Sequence, residues 1–203
     1  MCRTRLSRPA LIRSLVELDF NQAINRLLEE ISQAISRLNP EAAESLIQEL
    51  EAAPRLFGYG SGRSGFILRT FCMRLMHLGF TIYYVGETIT PRIQPRDLLL
   101  VVSGSGETPQ TRELLRQAKS RGARTVSLTA HRESAIGQEA DLSILVPGTT
   151  KLSLAHELES IQCPGSLFEQ AAFIFFETVI LMLYQRRLGR NRQDIMARHA
   201  DLE

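Results

Sequence analysis

The hydrophobic period of this chain changes partway along it. Over residues 15–38 the apolar positions Ile24, Leu27, Leu28, Ile31, Ile35 and Leu38 recur at helical spacing, which predicts an amphipathic helix. Asn39-Pro40 interrupts that pattern, and a second helix is predicted over 41–52, ended by Pro54. Both helices must cover apolar surface, on the sheet of their own chain or on a neighbouring subunit. From Arg55 onward short apolar runs at 55–59, 81–85, 98–102, 125–128 and 142–146 read as strands. Helical patterns at 66–78, 109–120 and 134–139 separate them. This alternation implies an α/β fold, with a five-stranded parallel sheet covered by helices on both faces. A strand order of 2-1-3-4-5 places ligands at the carboxyl ends of the first and third strands, where the winding reverses. Residues 167–188 are hydrophobic nearly all round, so that helix is central to the domain or buried in an oligomer. Gly189 ends it, and a short polar final helix is expected over 190–203.

The chemistry concentrates where those two strands end. The apolar run at 98–102 passes directly into Ser103-Gly104-Ser105-Gly106-Glu107-Thr108, and Pro109 opens the next helix. Such a loop suits a phosphate: glycines let backbone N–H groups converge, hydroxyls donate hydrogen bonds, and the helix dipole points its positive end outward. The first strand ends in Gly60-Ser61-Gly62-Arg63-Ser64-Gly65, which has G-x-G-x-x-G spacing with Glu87 farther on. A dinucleotide reading is open on that spacing alone. Two hydroxyl-lined loops at neighbouring strand ends point instead to a small phosphorylated ligand spanning both. Ser64, Ser103, Ser105 and Thr108 are the candidate phosphate or sugar contacts, although any one of them could be only a helix cap. Arg63 faces either the ligand or a carboxylate across subunits.

Composition narrows the class. With 203 residues, 44% hydrophobic and 23% charged, the chain has enough material for one domain with a sizeable core. A net charge of +2 argues against a nucleic-acid partner. Cys2, Cys72 and Cys163 have no metal-ligand spacing and form no disulfide framework, which fits a reducing cytoplasm. No apolar run is expected to reach the ~18 residues of a membrane span. The basic start, with Arg3, Arg5, Arg8 and Arg13, lacks a secretory core. Residues 1–19 are therefore expected to be a basic extension, a solvated tail or the product of an upstream start, with a single domain over 20–203.

Ser166 has the look of an N-cap, and Glu169 sits at the capping-box position. Glu169 is thus a capping carboxylate or a general base, able to remove a carbon-bound proton beside a carbonyl and return it to the neighbouring carbon. Such chemistry needs no cofactor. His77, His131, His156 and His199 show no ligand spacing, and no metal site is expected. His199 is a candidate for proton shuttling or ring opening, and each histidine also fits a structural role.

Several segments together resemble 6-phospho-3-hexuloisomerase, of the sugar isomerase (SIS) domain superfamily. They are Gly60-Ser61-Gly62-Arg63-Ser64-Gly65, Met73-Arg74-Leu75-Met76-His77-Leu78-Gly79, Val85-Gly86-Glu87-Thr88, the Ser103–Thr108 loop, Gly165-Ser166-Leu167-Phe168-Glu169-Gln170 and Arg198-His199-Ala200-Asp201-Leu202-Glu203. They run collinearly over roughly residues 20–203. The resemblance implies an SIS-type three-layer sandwich, usually tetrameric. It implies interconversion of D-arabino-hex-3-ulose 6-phosphate and D-fructose 6-phosphate, with Glu169 as base and no cofactor. Ser64 and the loop of Ser103, Gly104, Ser105, Gly106, Glu107 and Thr108, with Gly60, Gly62 and Arg63, would hold substrate. The implied setting is formaldehyde fixation by the ribulose monophosphate route, reversed in some archaea to supply pentose phosphate, with 3-hexulose-6-phosphate synthase as functional partner. Cys163-Pro164 stands where the family more often has Pro-Met, and Asp201 where Asn is usual. Two alternatives stay open: another aldose–ketose phosphate isomerase on this fold, and a non-catalytic sugar-phosphate sensor. A sensor should carry a DNA-binding helical domain, and no basic recognition helix precedes residue 54.

Overall fold

The computed structural model describes residues 18–152, 154 and 157–201. Two helices, α1 (Phe20–Ile35) and α2 (Pro40–Ala52), lead into β1 (Leu56–Gly60), α3 (Gly62–His77) and β2 (Ile82–Tyr84). Then follow β3 (Leu98–Val102), α4 (Pro109–Ser120), β4 (Arg124–Thr129), α5 (Ala135–Glu139), β5 (Leu142–Leu145), α6 (Ser166–Leu188) and α7 (Arg192–Met196). The strands form one parallel sheet in the order β2-β1-β3-β4-β5, as the alternating pattern implied.

Alternation along β3 explains the layers. All five of its residues are buried, and successive side chains leave on opposite faces. Leu98, Leu100 and Val102 join the core made with α1, α2, α3 and α6. Leu99 and Val101 join Phe57, Leu115, Ala118 and Ile136 under α4 and α5. The outcome is a three-layer sandwich. The N-terminal helices cover α6 of their own chain, burying Ala34, Leu46, Ile47 and Leu50. A second apolar stripe on α1, Phe20, Ile24 and Leu28, faces outward.

Helix α6 departs from one expectation. By length and composition it is long and apolar enough to cross a membrane. It packs instead against α1, α2 and α3, with Phe168, Phe175, Phe176 and Val179 in the core. The predicted helix ends also move. Helix α1 begins at Phe20, with residues 15–17 outside the described part, and α7 is shorter than the expected 190–203. Helix α3 starts at Gly62 rather than Phe66, so Arg63, Ser64 and Gly65 are helical. Gly65 permits this early start: a Cβ there would meet the Gly60 carbonyl oxygen at 2.3 Å.

On the far side of the sheet, Arg112 and Arg116 hold the Glu139 carboxylate at 2.5 to 2.9 Å. These two guanidinium groups pull its pKa down to about 2. A depressed folded-state value stabilises the fold above the unfolded carboxylate's ordinary pKa of about 4.3, and that contribution is lost as pH falls toward 2. Glu139→Gln should therefore cost about 1 kcal/mol at pH 7 and progressively less as pH falls, measured by urea unfolding across that range. An unchanged gap at pH 2.5 would exclude the charge as its origin.

Candidate functional site

Strand register builds the site. Gly60 on β1 lies opposite Val102 on β3, so the loops following both strands start side by side. With the start of α6 they enclose a cavity of about 260 Å³. It is lined by Ser61, Gly62, Arg63 and Ser64 from the first loop, Ser103, Gly104, Ser105 and Thr108 from the second, Thr150 and Lys151 from the segment after β5, and Pro164, Gly165, Phe168 and Glu169 around the start of α6.

Capping distinguishes the helices that border this cavity. The side chains of Asp19, Asn39, Ser134 and Asn191 cap α1, α2, α5 and α7. The N-cap residues of α3, α4 and α6, namely Ser61, Thr108 and Gly165, make no side-chain cap hydrogen bond. A helix start leaves its first N–H groups without intrahelical partners. These helix starts therefore turn positive dipole ends toward a single cavity, an arrangement that favours an anion, with the Ser166 N–H of α6 already donating to the Cys163 carbonyl at 3.0 Å. The Thr108 hydroxyl is engaged elsewhere, with Ser103 Oγ at 2.9 Å.

Glu169 is 9% exposed. The expected capping box does not form. Gly165, in the left-handed region at φ 93°, is the N-cap, Ser166 is the first helical residue, and Glu169 points across the cavity to the Arg63 guanidinium. Arg63 thus pairs with a carboxylate of its own chain, with its side chain still 70% exposed.

The remaining predicted residues separate. Gly62, Arg63, Ser64, Ser103, Gly104, Ser105, Thr108 and Glu169 all line the cavity. Gly60 lies behind it, where the Tyr84 hydroxyl accepts from its N–H at 3.2 Å and donates to its carbonyl at 2.8 Å. Gly106 is packed under the loop against Ser134. The Glu107 carboxylate turns away, accepting from the Ala135 N–H at 2.8 Å, and borders a larger hollow of about 560 Å³. That hollow shares Ser105 with the cavity but has no uncapped helix start in its lining. His199 lies in its own chain at the far end of α3, stacked on His77 at 4.6 Å between ring centroids. Sixteen residues of helix, roughly 24 Å, separate that end from the glycine loop. Burial, then the neighbouring His199 and Arg74, hold the His77 pKa below its ordinary value. Glu87 of the dinucleotide-like spacing pairs with Arg69 at 2.5 Å, both exposed, and does not line the cavity. Among the described residues no cluster of His, Cys, Asp and Glu is arranged to hold a metal.

Sequence reasoning missed Tyr84, Thr150 and Lys151, which no local motif marks, and quoted Phe168 only as part of the Gly165–Gln170 segment without giving it a place in the site.

The SIS domain family matches residues 49–173. The chain belongs to the SIS domain family. Among its relatives are proteins named 3-hexulose-6-phosphate isomerase. The one from Bacillus subtilis is 37% identical, covering 89% of this chain and 97% of that protein. The one from Mycobacterium gastri is 35% identical, covering 91% and 92%. A solved structure from Methanococcus jannaschii, described as inferring a molecular function of 3-hexulose-6-phosphate isomerase, has a TM-score of 0.76 at 33% identity, covering 89% of this chain and 99% of its own. The kinship expected from the glycine loops and the Phe168-Glu169 segment is therefore present over most of the chain, and these relatives are enzymes.

Proposed function

We propose that this SIS protein is a 3-hexulose-6-phosphate isomerase, interconverting D-arabino-hex-3-ulose 6-phosphate and D-fructose 6-phosphate. The observation that carries the reading is one buried carboxylate, Glu169, facing a cavity bordered by uncapped helix starts. The helix starts and serine hydroxyls receive the phosphate and fix the sugar's register. Glu169 takes the proton from C2, which bears the hydroxyl beside the C3 carbonyl, giving a cis-enediolate. It returns that proton to C3, while a second proton passes from O2 to O3. Backbone N–H groups of the loops stabilise the enediolate oxygen, each donor typically worth ~3–4 kcal/mol. Arg63 leaves Glu169 for the phosphate when substrate arrives, freeing the carboxylate. His199 is the candidate for moving protons between oxygens or opening the fructose ring, and it serves a site in another subunit rather than its own.

Exposed apolar residues on α1 (Phe20, Ile24, Leu28), α3 (Phe66, Met73) and α6 (Leu181) support assembly into a homo-oligomer, a tetramer on the family's pattern. We place the protein in the cytoplasm, with 3-hexulose-6-phosphate synthase supplying its substrate in formaldehyde fixation.

Solvent exchange tests the reaction. In D₂O, purified protein should introduce deuterium at C3 of fructose 6-phosphate and turn over arabino-3-hexulose 6-phosphate. Label at C1 would indicate an aldose–ketose isomerase. Binding without exchange would indicate a sensor.

A further inference from the structure

Glu157 is a buried carboxylate outside the catalytic set, with its side chain 3% exposed. Burying a charge is costly unless it is paired and hydrogen-bonded, so its partners show what it holds in place. One oxygen accepts from the Thr150 N–H at 2.8 Å. The other accepts from the Thr150 hydroxyl at 2.5 Å and contacts His131 Nε2 at 2.8 Å. Burial pushes the Glu157 carboxyl up, but the hydrogen bonds from Thr150 and His131 outweigh it and hold the group below its ordinary value.

Both partners connect to the cavity. Thr150 and the adjacent Lys151 line it. The turn that carries them is also fixed by the Thr149 hydroxyl, donating to the Leu158 carbonyl at 2.8 Å, and by the Leu152 N–H, donating to Thr150 Oγ1 at 3.1 Å. His131 is anchored to the anion loop itself: its N–H donates to Thr129 Oγ1, which donates to the Gly104 carbonyl, each at 3.2 Å. The Lys151 turn is thereby set in register with Ser103–Thr108.

Charge gives that register a purpose. Among the described residues, the cations lining the cavity are Arg63 and Lys151. Arg63 is engaged by Glu169, whereas Lys151 has no ion-pair or hydrogen-bond partner among the described residues. We propose that Lys151 is a phosphate-binding cation of this site and that the buried Glu157–His131 clasp positions it, acting through Thr150. This rests on the sugar-phosphate reading of the cavity and adds a substrate-binding residue with its two supports.

The test is a double-mutant cycle on the full chain, read by calorimetry with fructose 6-phosphate and with inorganic phosphate. Lys151→Met and Glu157→Gln should each weaken both ligands about tenfold, the scale of one charge-assisted hydrogen bond. The double variant should bind no worse than either single one, because Glu157 acts only through Lys151. Lys151→Arg should restore most of the affinity. In turnover of arabino-3-hexulose 6-phosphate the single variants should raise KM and leave kcat within about twofold. Additive losses in the double variant, or a folded Glu157→Gln with full affinity, would overturn the clasp. If Glu157→Gln does not fold, His131→Phe takes its place in the cycle under the same criteria. Absence of turnover in the unmodified protein with the binding pattern intact would remove the isomerase reading and leave the clasp. Turnover without the pattern would do the reverse.

Discussion

Glu169→Gln is expected to lower kcat by about 10²- to 10⁴-fold, the range for loss of a general base, while fructose 6-phosphate binds within a few-fold of normal. The separation follows from where each task resides. In the proposed mechanism binding falls to the N-termini of α3, α4 and α6, the serine hydroxyls and Lys151, none of which depends on the Glu169 charge. In the same mechanism proton transfer falls to the carboxylate, and a glutamine of the same shape cannot accept the C2 proton. The substitution also releases Arg63 from its ion pair, so affinity for the phosphate should hold or improve. Three readouts on one preparation decide it: steady-state turnover, calorimetric binding of fructose 6-phosphate, and deuterium uptake at C3. Retention of more than a tenth of kcat would remove Glu169 as the base. Loss of binding together with turnover would mean that the carboxylate holds the site's shape rather than moving the proton.

Sheet order and the meeting of the two glycine loops were legible because the strands, loops and helix starts behind them depend on short-range pattern. A fully apolar β3 running into small residues, with helical spacing after it, fixes a strand, a loop and a helix start in sequence. Parallel pairing then places the β1 and β3 loops together. The start of α6 was less legible. Ser166 and Glu169 have the spacing of a capping box, and nothing local signals that Gly165 takes the left-handed cap position instead. That choice is set at long range. Glu169 meets Arg63, 106 residues away, and the Phe168 ring packs so closely on Gly104 that a Cβ there would lie 3.0 Å from it. Helix propensity also misplaced the start of α3. Glycine is a poor helix former, so Gly62 and Gly65 read as loop, yet they allow the helix to begin directly behind the strand. Thr150 and Lys151 carry no motif at all. Thr150 is held beside the cavity by a hydrogen bond to a buried carboxylate seven residues beyond it, which no periodicity reveals.

Gly106→Ala should lower kcat/KM about 100-fold and destabilise the fold, whereas Gly62→Ala, in the opposite loop of the same cavity, should change both far less. Both residues have φ in the left-handed region, +66° and +57°, so each alanine carries a conformational cost of about 1–2 kcal/mol. Their surroundings differ. An added Cβ at Gly62 meets nothing within 4 Å. At Gly106 it would fall 1.8 Å from Ser134 Oγ and 2.4 Å from Ser134 Cβ, positions that cannot coexist. The backbone there cannot easily retreat. The Gly106 N–H donates to the Ser103 carbonyl at 3.0 Å, and its own carbonyl accepts from the Ile136 N–H at 2.9 Å. Relief must therefore move the Ser103–Thr108 loop toward the cavity or push back Ser134, the N-cap of α5. A shift of about 1 Å in the groups that position substrate is enough for the predicted loss. Adding Ser134→Gly to Gly106→Ala clears the nearest contacts but not the backbone strain, so it should recover part of the activity while the α5 cap is lost. Equal losses for Gly62→Ala and Gly106→Ala would assign the effect to backbone conformation alone, and packing against Ser134 would then not be what holds the anion loop in place.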